Sequence, residues 1–376
     1  MKFVLIPDSF KGTLSSTQIC NIVKERVEAY FPQSEIVSIP VADGGEGSVD
    51  AFITAVGGEK ITVIVKNPYF EDMESYYGLI DEGRTAVIEM ASCAGLPLVE
   101  NRKNPKLTTT YGVGQLIVAA AESGVEKIIV GLGGSCTNDG GCGAAAAAGV
   151  KFFDRDGKEF IPTGGTTADI SFIDLSGRNK VLDGIEIVTM CDIDNPMYGP
   201  SGAAHVFGPQ KGADEAMVAE LDAGIRNLSQ VILNTTGQDI NEIPGTGAAG
   251  AMGAGMIAFF GSKLQMGIQT VLDTVKFNDI IRDADYIVTG EGKLDSQSLR
   301  GKVVIGIAER AKKQEKNVIA IVGGADDAEI AEAYDRGVTA VFPINRLPQD
   351  FSVSRYHSEE NLTYTADNII RLLAAK

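Results

Sequence analysis

Apolar residues near the N-terminus form either continuous runs or stripes at helical spacing. The order of these runs and stripes predicts alternating strands and helices. Residues 2–7 and 36–42 are continuous apolar runs, which favour buried strands. Between these runs, Ser15 and Gln18 form a capping-box pattern in front of apolar residues at helical spacing. A similar stripe predicts a helix over residues 49–56. The segment is therefore expected to be strand–helix–strand–helix.

The same alternation returns near the C-terminus. Strands are predicted at residues 285–289, 318–322 and 340–344, and helices over residues 303–311, 330–334 and 362–373. Ser358 is the expected N-cap of the last helix, because the two glutamates after it suit the positive end of a helix dipole. Alternating helices and continuous apolar strands are typical of a parallel sheet covered on both faces.

The middle of the chain has a different pattern. Apolar residues alternate with polar ones over residues 61–88, which predicts antiparallel strands, and a helix and a strand follow over 112–130. We therefore predict an α/β protein with two domains. Residues 1–60 and 283–376 would build the parallel-sheet domain, and residues 61–282 would form an inserted mixed α/β domain. A cleft between two such domains is a common place for a small-molecule site.

Charge and cysteine content narrow the range of functions. The chain has 33 basic and 50 acidic residues, and its net charge of −17 repels nucleic acids and anionic membrane surfaces. No apolar run approaches the ~20 residues that span a bilayer, and the N-terminal run is too short for a secretory signal. Five cysteines without a C-x-x-C pair argue against a disulfide framework or a zinc cage. We expect a cytoplasmic protein that binds small molecules.

Six stretches combine glycine with polar or charged residues just after predicted strands. These stretches are residues 8–12, 43–47, 131–141, 192–196, 208–212 and 289–296. In parallel α/β sheets, ligands bind outside the carboxyl ends of the strands. We therefore expect these stretches to lie near one another and to carry the chemistry.

The stretch 131–141 has the composition of a phosphate-binding loop. Gly133 and Gly134 allow backbone N–H groups to point at an anion, and Ser135 and Asn138 add side-chain donors. The alternative is a tight connection between a strand and a helix that binds no ligand.

Charged residues in the other stretches suggest phosphoryl transfer. Lys11, which lies between Asp8 and a capped helix start, can hold a phosphate, although a single lysine is more often simply solvated. Carboxylates can accept the proton of an alcohol or bind Mg²⁺. The candidates are Asp43, Asp192, Glu291 and Asp295. Their alternative role is in turns, which aspartate favours.

A dinucleotide-binding fingerprint and histidine-based sites are excluded. Residues 245–250 match G-x-G-x-x-G, but no buried strand precedes them, so we predict only that they lead into a helix over 251–260. The only histidines are His205 and His357, which leaves no histidine-based triad and no multi-histidine metal site.

Taken in order, these motifs resemble those of the bacterial glycerate kinases. The matching segments are 7–12, 40–47, 110–114, 131–141, Asp192 with Asn195–Pro196, 199–204, 208–212, 289–298 and 301–302. Cys136 departs from the alanine expected in most relatives, with no expected effect on the chemistry. The resemblance runs along essentially the whole chain.

The resemblance implies a flavodoxin- or Rossmann-like domain with an inserted α/β domain, as the pattern also suggests. It implies ATP-dependent phosphorylation of D-glycerate to 2-phospho-D-glycerate plus ADP, with ATP as co-substrate and Mg²⁺ as cofactor, in the interdomain cleft. Three alternatives stay open: phosphorylation of the 3-hydroxyl, phosphorylation of another small hydroxy acid, or a non-catalytic sensor of carboxylates or nucleotides. The oligomeric state is also open, with a homodimer as one candidate.

Roles can be assigned within this implied reaction. The catalytic candidates are Lys11, Asp43, Asp192 and Asp295, with Asp43 or Asp295 as the proton acceptor. Asp192 and Glu291 are the expected Mg²⁺ ligands. The expected substrate- and phosphate-binding residues are Asp8, Ser9, Gly44, Gly45, Glu46, Gly133, Gly134, Ser135, Asn138, Lys211, Lys293 and Ser296. Among these, Lys211 and Lys293 would join Lys11 and Mg²⁺ in offsetting the negative charge of the protein.

Overall fold

The computed structural model describes residues 1–41, 44–347 and 349–375. Two compact units divide the chain. The first unit contains Met1–Ala42, Thr54–Val56 and Met266–Lys376, and the second contains Asp43–Ile53 and Gly57–Gln265. Both ends of the chain therefore belong to the first unit.

Strands and helices alternate along much of the chain. The strands are β1 (Lys2–Leu5), β2 (Glu35–Ser38), β3 (Glu59–Lys66), β4 (Asp72–Ile80), β5 (Thr85–Glu89), β6 (Lys127–Gly131), β7 (Lys151–Phe153), β8 (Glu159–Phe160), β9 (Phe172–Asp174), β10 (Glu186–Met190), β11 (Lys263–Gln265), β12 (Tyr286–Glu291), β13 (Asn317–Val322) and β14 (Ala340–Pro343). The α-helices are α1 (Ser16–Tyr30), α2 (Ser48–Val56), α3 (Ala91–Ala94), α4 (Tyr111–Glu122), α5 (Cys142–Ala147), α6 (Ala203–Phe207), α7 (Glu215–Thr236), α8 (Ala248–Phe260), α9 (Gly267–Thr274), α10 (Phe277–Ile280), α11 (Val303–Lys312), α12 (Asp327–Asp335), α13 (Phe351–Ser354) and α14 (Ser358–Ala374).

The first unit is built on a parallel sheet with the strand order β14-β13-β12-β1-β2. From β1 the chain moves to β2 at one side, and from β12 it moves to β14 at the other side. The direction of winding therefore reverses between β1 and β12. In an open α/β sheet of this flavodoxin-like order, ligands bind at the carboxyl ends of the strands on either side of that reversal. The loops after β1 and β12 occupy this position.

Helix α1 shows how the sequence fixes the first unit locally. The Ser15 hydroxyl accepts a hydrogen bond from the Gln18 N–H at 3.2 Å, and the Gln18 side chain accepts one from the Ser15 N–H at 2.8 Å. The predicted capping box is therefore confirmed. The apolar stripe of α1 is buried in the core of the unit, which includes Ile19 and Val23 from α1 and Phe3 from β1.

The second unit contains a mixed sheet with the order β11-β10-β6-β5-β4-β3. Strands β3, β4 and β5 pair antiparallel, as their alternating pattern predicted, and β5, β6, β10 and β11 pair parallel. A small sheet of β8, β7 and β9 lies in the same unit. Fold class is thus confirmed: a parallel-sheet unit built from both chain ends accompanies a mixed α/β unit.

Some predicted elements differ from those observed. The strand expected over 36–42 ends at Ser38. The helix expected from residue 251 begins at Ala248, with Ala249, Gly250 and Ala251 in left-handed conformations. A Cβ on Gly250 would lie 2.1 Å from the Thr137 carbonyl oxygen, so this kink follows a close backbone approach.

Two further differences concern the C-terminal part. Ser358 is the first residue of α14 and does not cap it; its hydroxyl donates instead to the Arg355 carbonyl at 3.0 Å. The first unit resumes at Met266 and not at residue 283, because α9 packs against α11. The Arg310 side chain of α11 donates to Gln269 Oε1 at 2.7 Å. Among the described residues, no helix has both the length and the apolar character to cross a membrane.

Candidate active site

The predicted site residues fall into two groups, one in each unit. The first unit holds Asp8, Ser9, Lys11, Glu291, Lys293, Asp295 and Ser296. The second unit holds Gly44, Gly45, Glu46, Gly133, Gly134, Ser135, Asn138, Asp192 and Lys211. Asp43, a candidate proton acceptor, lies outside the described residues.

Glu291 is the most unusual carboxyl group of the first unit. It ends β12, it is only 6% exposed, and its buried Oε1 has no hydrogen-bond partner. Burial, opposed by hydrogen bonding to Ser298 and reinforced by the negative charges of Asp8 and Asp295, raises the pKa of Glu291 to about 7. An uncompensated buried carboxyl is costly in free energy. Glu291 is therefore ready to take up a proton or a cation near neutral pH.

Asp295 has a turn role in addition to any chemical one. One carboxylate oxygen, Oδ1, accepts hydrogen bonds from the N–H groups of Gln297 at 2.9 Å and Ser298 at 3.3 Å. This is the turn chemistry that aspartate favours, and it orders the loop after β12. The other oxygen, Oδ2, makes no hydrogen bond to the described residues, so it is free for chemistry.

The loop after β1 is tied to the end of β12. The Asp8 N–H donates to the Gly290 carbonyl at 2.8 Å, and the Asp8 carboxylate accepts from the Ser9 N–H at 2.7 Å. Lys11 follows on an exposed turn closed by Gly12, which has a φ of +78°. Lys11 and Lys293 line the same cavity, of about 430 Å³, within this unit. Lys293 is exposed and forms an ion pair with Asp326 at 3.0 Å, so its charge is partly neutralised.

In the second unit, two glycine-rich stretches lie against each other. The Gly133 N–H donates to the Gly44 carbonyl at 3.0 Å. A Cβ on Gly131 would lie 2.3 Å from the Gly44 oxygen, and a Cβ on Gly133 would lie 2.5 Å from the Gly45 Cα. Glycine is therefore required here for backbone contact, whether or not a phosphate binds.

Lys211 is the best-defined cation of the second unit. It is 1% exposed, and its ammonium donates to Ser135 Oγ at 3.0 Å and to the Thr137 carbonyl at 2.7 Å. An ammonium has three donors, so one stays available. Burial lowers the pKa of Lys211 to about 8, although the nearby charge of Asp139 opposes the shift. Lys211 lines a cavity of about 210 Å³ together with Gly133, Gly134, Ser135 and Asp192.

This cavity brings together residues from three of the predicted stretches. Gly134 and Ser135 follow β6, Asp192 follows β10, and Lys211 comes from the 208–212 stretch. A desolvated ammonium beside a hydroxyl and glycine backbone suits a small carboxylate or phosphate. His205 is exposed on α6 and does not line the cavity.

Asn138 occupies a different place from the other residues of its loop. It is completely buried and is not among the residues that line the cavity. Neither its side-chain oxygen nor its side-chain nitrogen has a hydrogen-bond partner, and the same holds for the Thr137 hydroxyl. A buried polar group without a partner is costly in free energy.

Two buried carboxylates that the sequence pattern did not indicate hold these loops in place. Asp139 accepts hydrogen bonds from the Thr110 N–H at 2.7 Å, the Thr110 hydroxyl at 2.9 Å and the Gly143 N–H at 3.2 Å, and thereby joins the starts of α4 and α5. Glu89 accepts from the Val49 N–H at 2.5 Å and the Gly47 N–H at 3.1 Å at the start of α2. Burial raises the pKa of both groups. Glu89 could have been found from the sequence, because it is an acidic residue at the end of a buried apolar strand.

The buried ammonium of Lys211 should make the stability of the protein depend on pH. The folded-state pKa of Lys211 is about 8, against an ordinary 10.5, so the unfolded chain binds more protons between these values and stability must rise with pH. The gain is at most about 3 kcal/mol. Urea unfolding at pH 8 and pH 10.5 should show this gain for the wild type relative to Lys211→Met. A difference between the two proteins that is independent of pH would contradict the assignment.

Two features of this protein are typical of α/β enzymes that act on small anionic substrates. One is a doubly wound parallel sheet with polar loops at the strand ends, and the other is a buried ammonium on a cavity wall.

The comparisons with known proteins identify the family. Residues 3–374 match the model of the glycerate kinase family. The chain is 43% identical to a glycerate kinase of Bacillus cereus, over 98% of this chain and 97% of that protein. It is 42% identical to a glycerate 2-kinase of Escherichia coli, over 100% of this chain and 98% of that protein.

A solved structure agrees with these relatives. A crystal structure of a candidate glycerate kinase 2 from Salmonella typhimurium LT2 superposes with a TM-score of 0.87 at 38% identity, and covers 100% of this chain and 98% of that chain. The chain belongs to the glycerate kinase family, and it is an enzyme of the kinase class.

Proposed function

We propose that this enzyme transfers the γ-phosphoryl group of ATP to the 2-hydroxyl of D-glycerate, giving 2-phospho-D-glycerate and ADP. Membership in the family and the Escherichia coli relative named glycerate 2-kinase support the proposal. The structural observation that carries it is the Lys211 cavity, where a buried ammonium meets Ser135 and the glycine backbone after β6. Its size and charge suit a three-carbon acid or a phosphoryl group.

The proposal requires local positive charge, because both substrates are anions and the protein carries a net charge of −17. Lys211 is the strongest candidate, since its charge is desolvated and acts at low effective dielectric. Lys293 contributes less because Asp326 already pairs with it. Lys11 stands on an exposed turn, from which its side chain can approach a phosphate group.

Magnesium is compatible with the carboxylates that the chain offers. Within the described residues, no group of three or more acidic, histidine or cysteine side chains could hold a metal ion. Mg²⁺ needs fewer protein ligands, because it is usually bound by one or two carboxylates together with substrate phosphates and water. The unpartnered buried oxygen of Glu291 is a hard donor of this kind. Glu291 would hold the ion in the first unit, and the ion would neutralise charge on the transferring phosphoryl group. Asp192, the other carboxylate expected to bind Mg²⁺, belongs to the second unit.

Asp295 is the proposed proton acceptor among the described residues. Its Oδ1 is held by two backbone N–H groups, which fixes the orientation of the carboxylate. Its Oδ2 is then available to take the proton of the glycerate hydroxyl as the phosphoryl group arrives. Asp43 remains the second candidate for this role.

The product identifies the reaction directly. We expect ³¹P NMR of a mixture of enzyme, Mg²⁺, ATP and D-glycerate to show ADP together with the resonance of 2-phosphoglycerate. A resonance of 3-phosphoglycerate would show that the enzyme phosphorylates the 3-hydroxyl and not the 2-hydroxyl. ADP release that is faster with lactate, tartronate or glycerol would assign another substrate, and ligand binding without ADP release would support the sensor alternative.

A further inference from the structure

The cavity of the first unit has a different chemistry from the Lys211 cavity. We call it the unit-one cavity; its volume is about 430 Å³. It lies at the carboxyl ends of β12, β13 and β14 and reaches α13. Its lining residues include Phe10, Gly292, Gly324, Ile344, Phe351 and Ser354. All of them belong to the first unit.

The walls of the unit-one cavity are largely apolar and aromatic. Phe10 and Ile344 are buried, whereas the Phe351 ring is 62% exposed although it is a large apolar group. A Cβ on Gly324 would meet no atom within 4 Å, so the backbone there faces open space. An aromatic ring and side-chain-free backbone together suit a planar, mostly apolar ligand.

Polar groups in the unit-one cavity come from Lys11, Thr13, Lys293, Asn345, Ser354 and Ser358. Ser354 is 5% exposed, and its hydroxyl makes no hydrogen bond to the described residues, so it can serve a ligand. Lys11 and Lys293 also line the cavity, and no described Asp or Glu does, although the whole chain is strongly acidic. The expected ligand therefore combines an apolar planar part with an anionic part. D-glycerate has no such apolar part, but a nucleotide has.

We infer that the unit-one cavity binds the adenine base of ATP. The base would contact Phe351 and the backbone at Gly324. The phosphates would extend along the loop after β1, which contains Lys11. That loop stands beside the reversal of strand order, where open α/β sheets bind their ligands. The inference rests on the proposed function, because it assumes that ATP is the phosphoryl donor.

Filling the cavity tests the inference. Gly324 is suitable for this because its φ is not left-handed and an added Cβ meets no protein atom within 4 Å. Gly324→Leu should raise the Kd for ADP and the KM for ATP by tenfold or more, while the KM for D-glycerate stays within twofold of the wild type. Phe351→Ala should weaken ADP binding about fivefold, on the scale of a lost aromatic contact. Isothermal titration of the whole chain with ADP measures binding without turnover.

Tyr356→Ala is the matched control. Tyr356 is 77% exposed in the same segment and does not line the cavity, so ADP binding should be unchanged. The inference is overturned if both Gly324→Leu and Phe351→Ala bind ADP as the wild type does, if the wild type does not bind ADP, or if the KM for D-glycerate changes instead. If Gly324→Leu does not fold, the exposed position of Phe351 keeps the test decisive. ADP binding that the variants weaken, in a protein that forms no product, would reject the proposed reaction and retain the base site.

Discussion

Glu291→Gln is expected to lower kcat by at least a thousandfold while the protein stays folded. The substitution keeps the shape of the side chain and removes the charge that would bind Mg²⁺, and the loss of a positioned charged group costs rates on this scale. Steady-state ADP release with D-glycerate measures the effect. Glu309→Gln is a suitable control, because Glu309 lies in the same unit and pairs with Arg336 at 2.8 Å; it should retain activity.

The pH dependence gives a second measure of the same residue. With a pKa of about 7, Glu291 is increasingly protonated below neutral pH, so kcat/KM of the wild type should fall as pH drops from 8 to 6. Because the folded pKa exceeds the ordinary 4.5, the folded state binds the extra proton and loses stability as pH rises from 4.5 to 7. Glu291→Gln should lack this loss and be at least as stable as the wild type at pH 8. A variant that is destabilised and still active would show that Glu291 is a structural residue.

Lys211→Met is expected to lower kcat/KM by a hundredfold or more. The methionine fills nearly the same volume, and replacing a buried charge with an apolar group of similar size is often neutral for stability. The loss would therefore come from the missing ammonium in the cavity with Ser135 and Asp192. Kinetics at varied D-glycerate and varied ATP would show which substrate the ammonium holds.

Lys158→Met provides the comparison for this variant. Lys158 is an exposed lysine in the same unit, and surface substitutions of this kind usually change stability by less than about 0.5 kcal/mol. Its activity should match that of the wild type. Equal activity in Lys211→Met and the wild type would remove Lys211 from the site and leave it as a buried structural lysine.

Elements with strong local signals were predictable from the sequence. The capping box of Ser15 and Gln18, the apolar stripe of α1 and the alternating pattern over residues 61–88 each depend on contacts that the local pattern encodes. Prediction was less accurate where a distant segment decides the backbone. The left-handed residues at the start of α8 follow from the approach of Gly250 to Thr137, more than 100 residues away in the chain.

The environment of the candidate site could not be predicted in the same way. Lys11 and Lys211 are the same residue type, and the sequence alone does not distinguish their environments. In the structure Lys11 is exposed, whereas Lys211 is buried, with only 1% of its surface exposed. Asn138 and Ser135 belong to one glycine-rich stretch, yet only Ser135 lines the cavity. Burial depends on which other segments cover a side chain, and a local pattern does not contain that information.

The sequence by itself determined the alternation of strands and helices, the strand-end position of the polar stretches and the kind of chemistry that they can perform, because these depend on local periodicity and residue type. Only the tertiary structure decided that Glu291 keeps an unpartnered buried oxygen, that Lys211 is desolvated on a cavity wall and that Asp139 and Glu89 hold the loops. The physical reason is that pKa values and hydrogen-bond partners follow from solvent exclusion by residues distant in the chain.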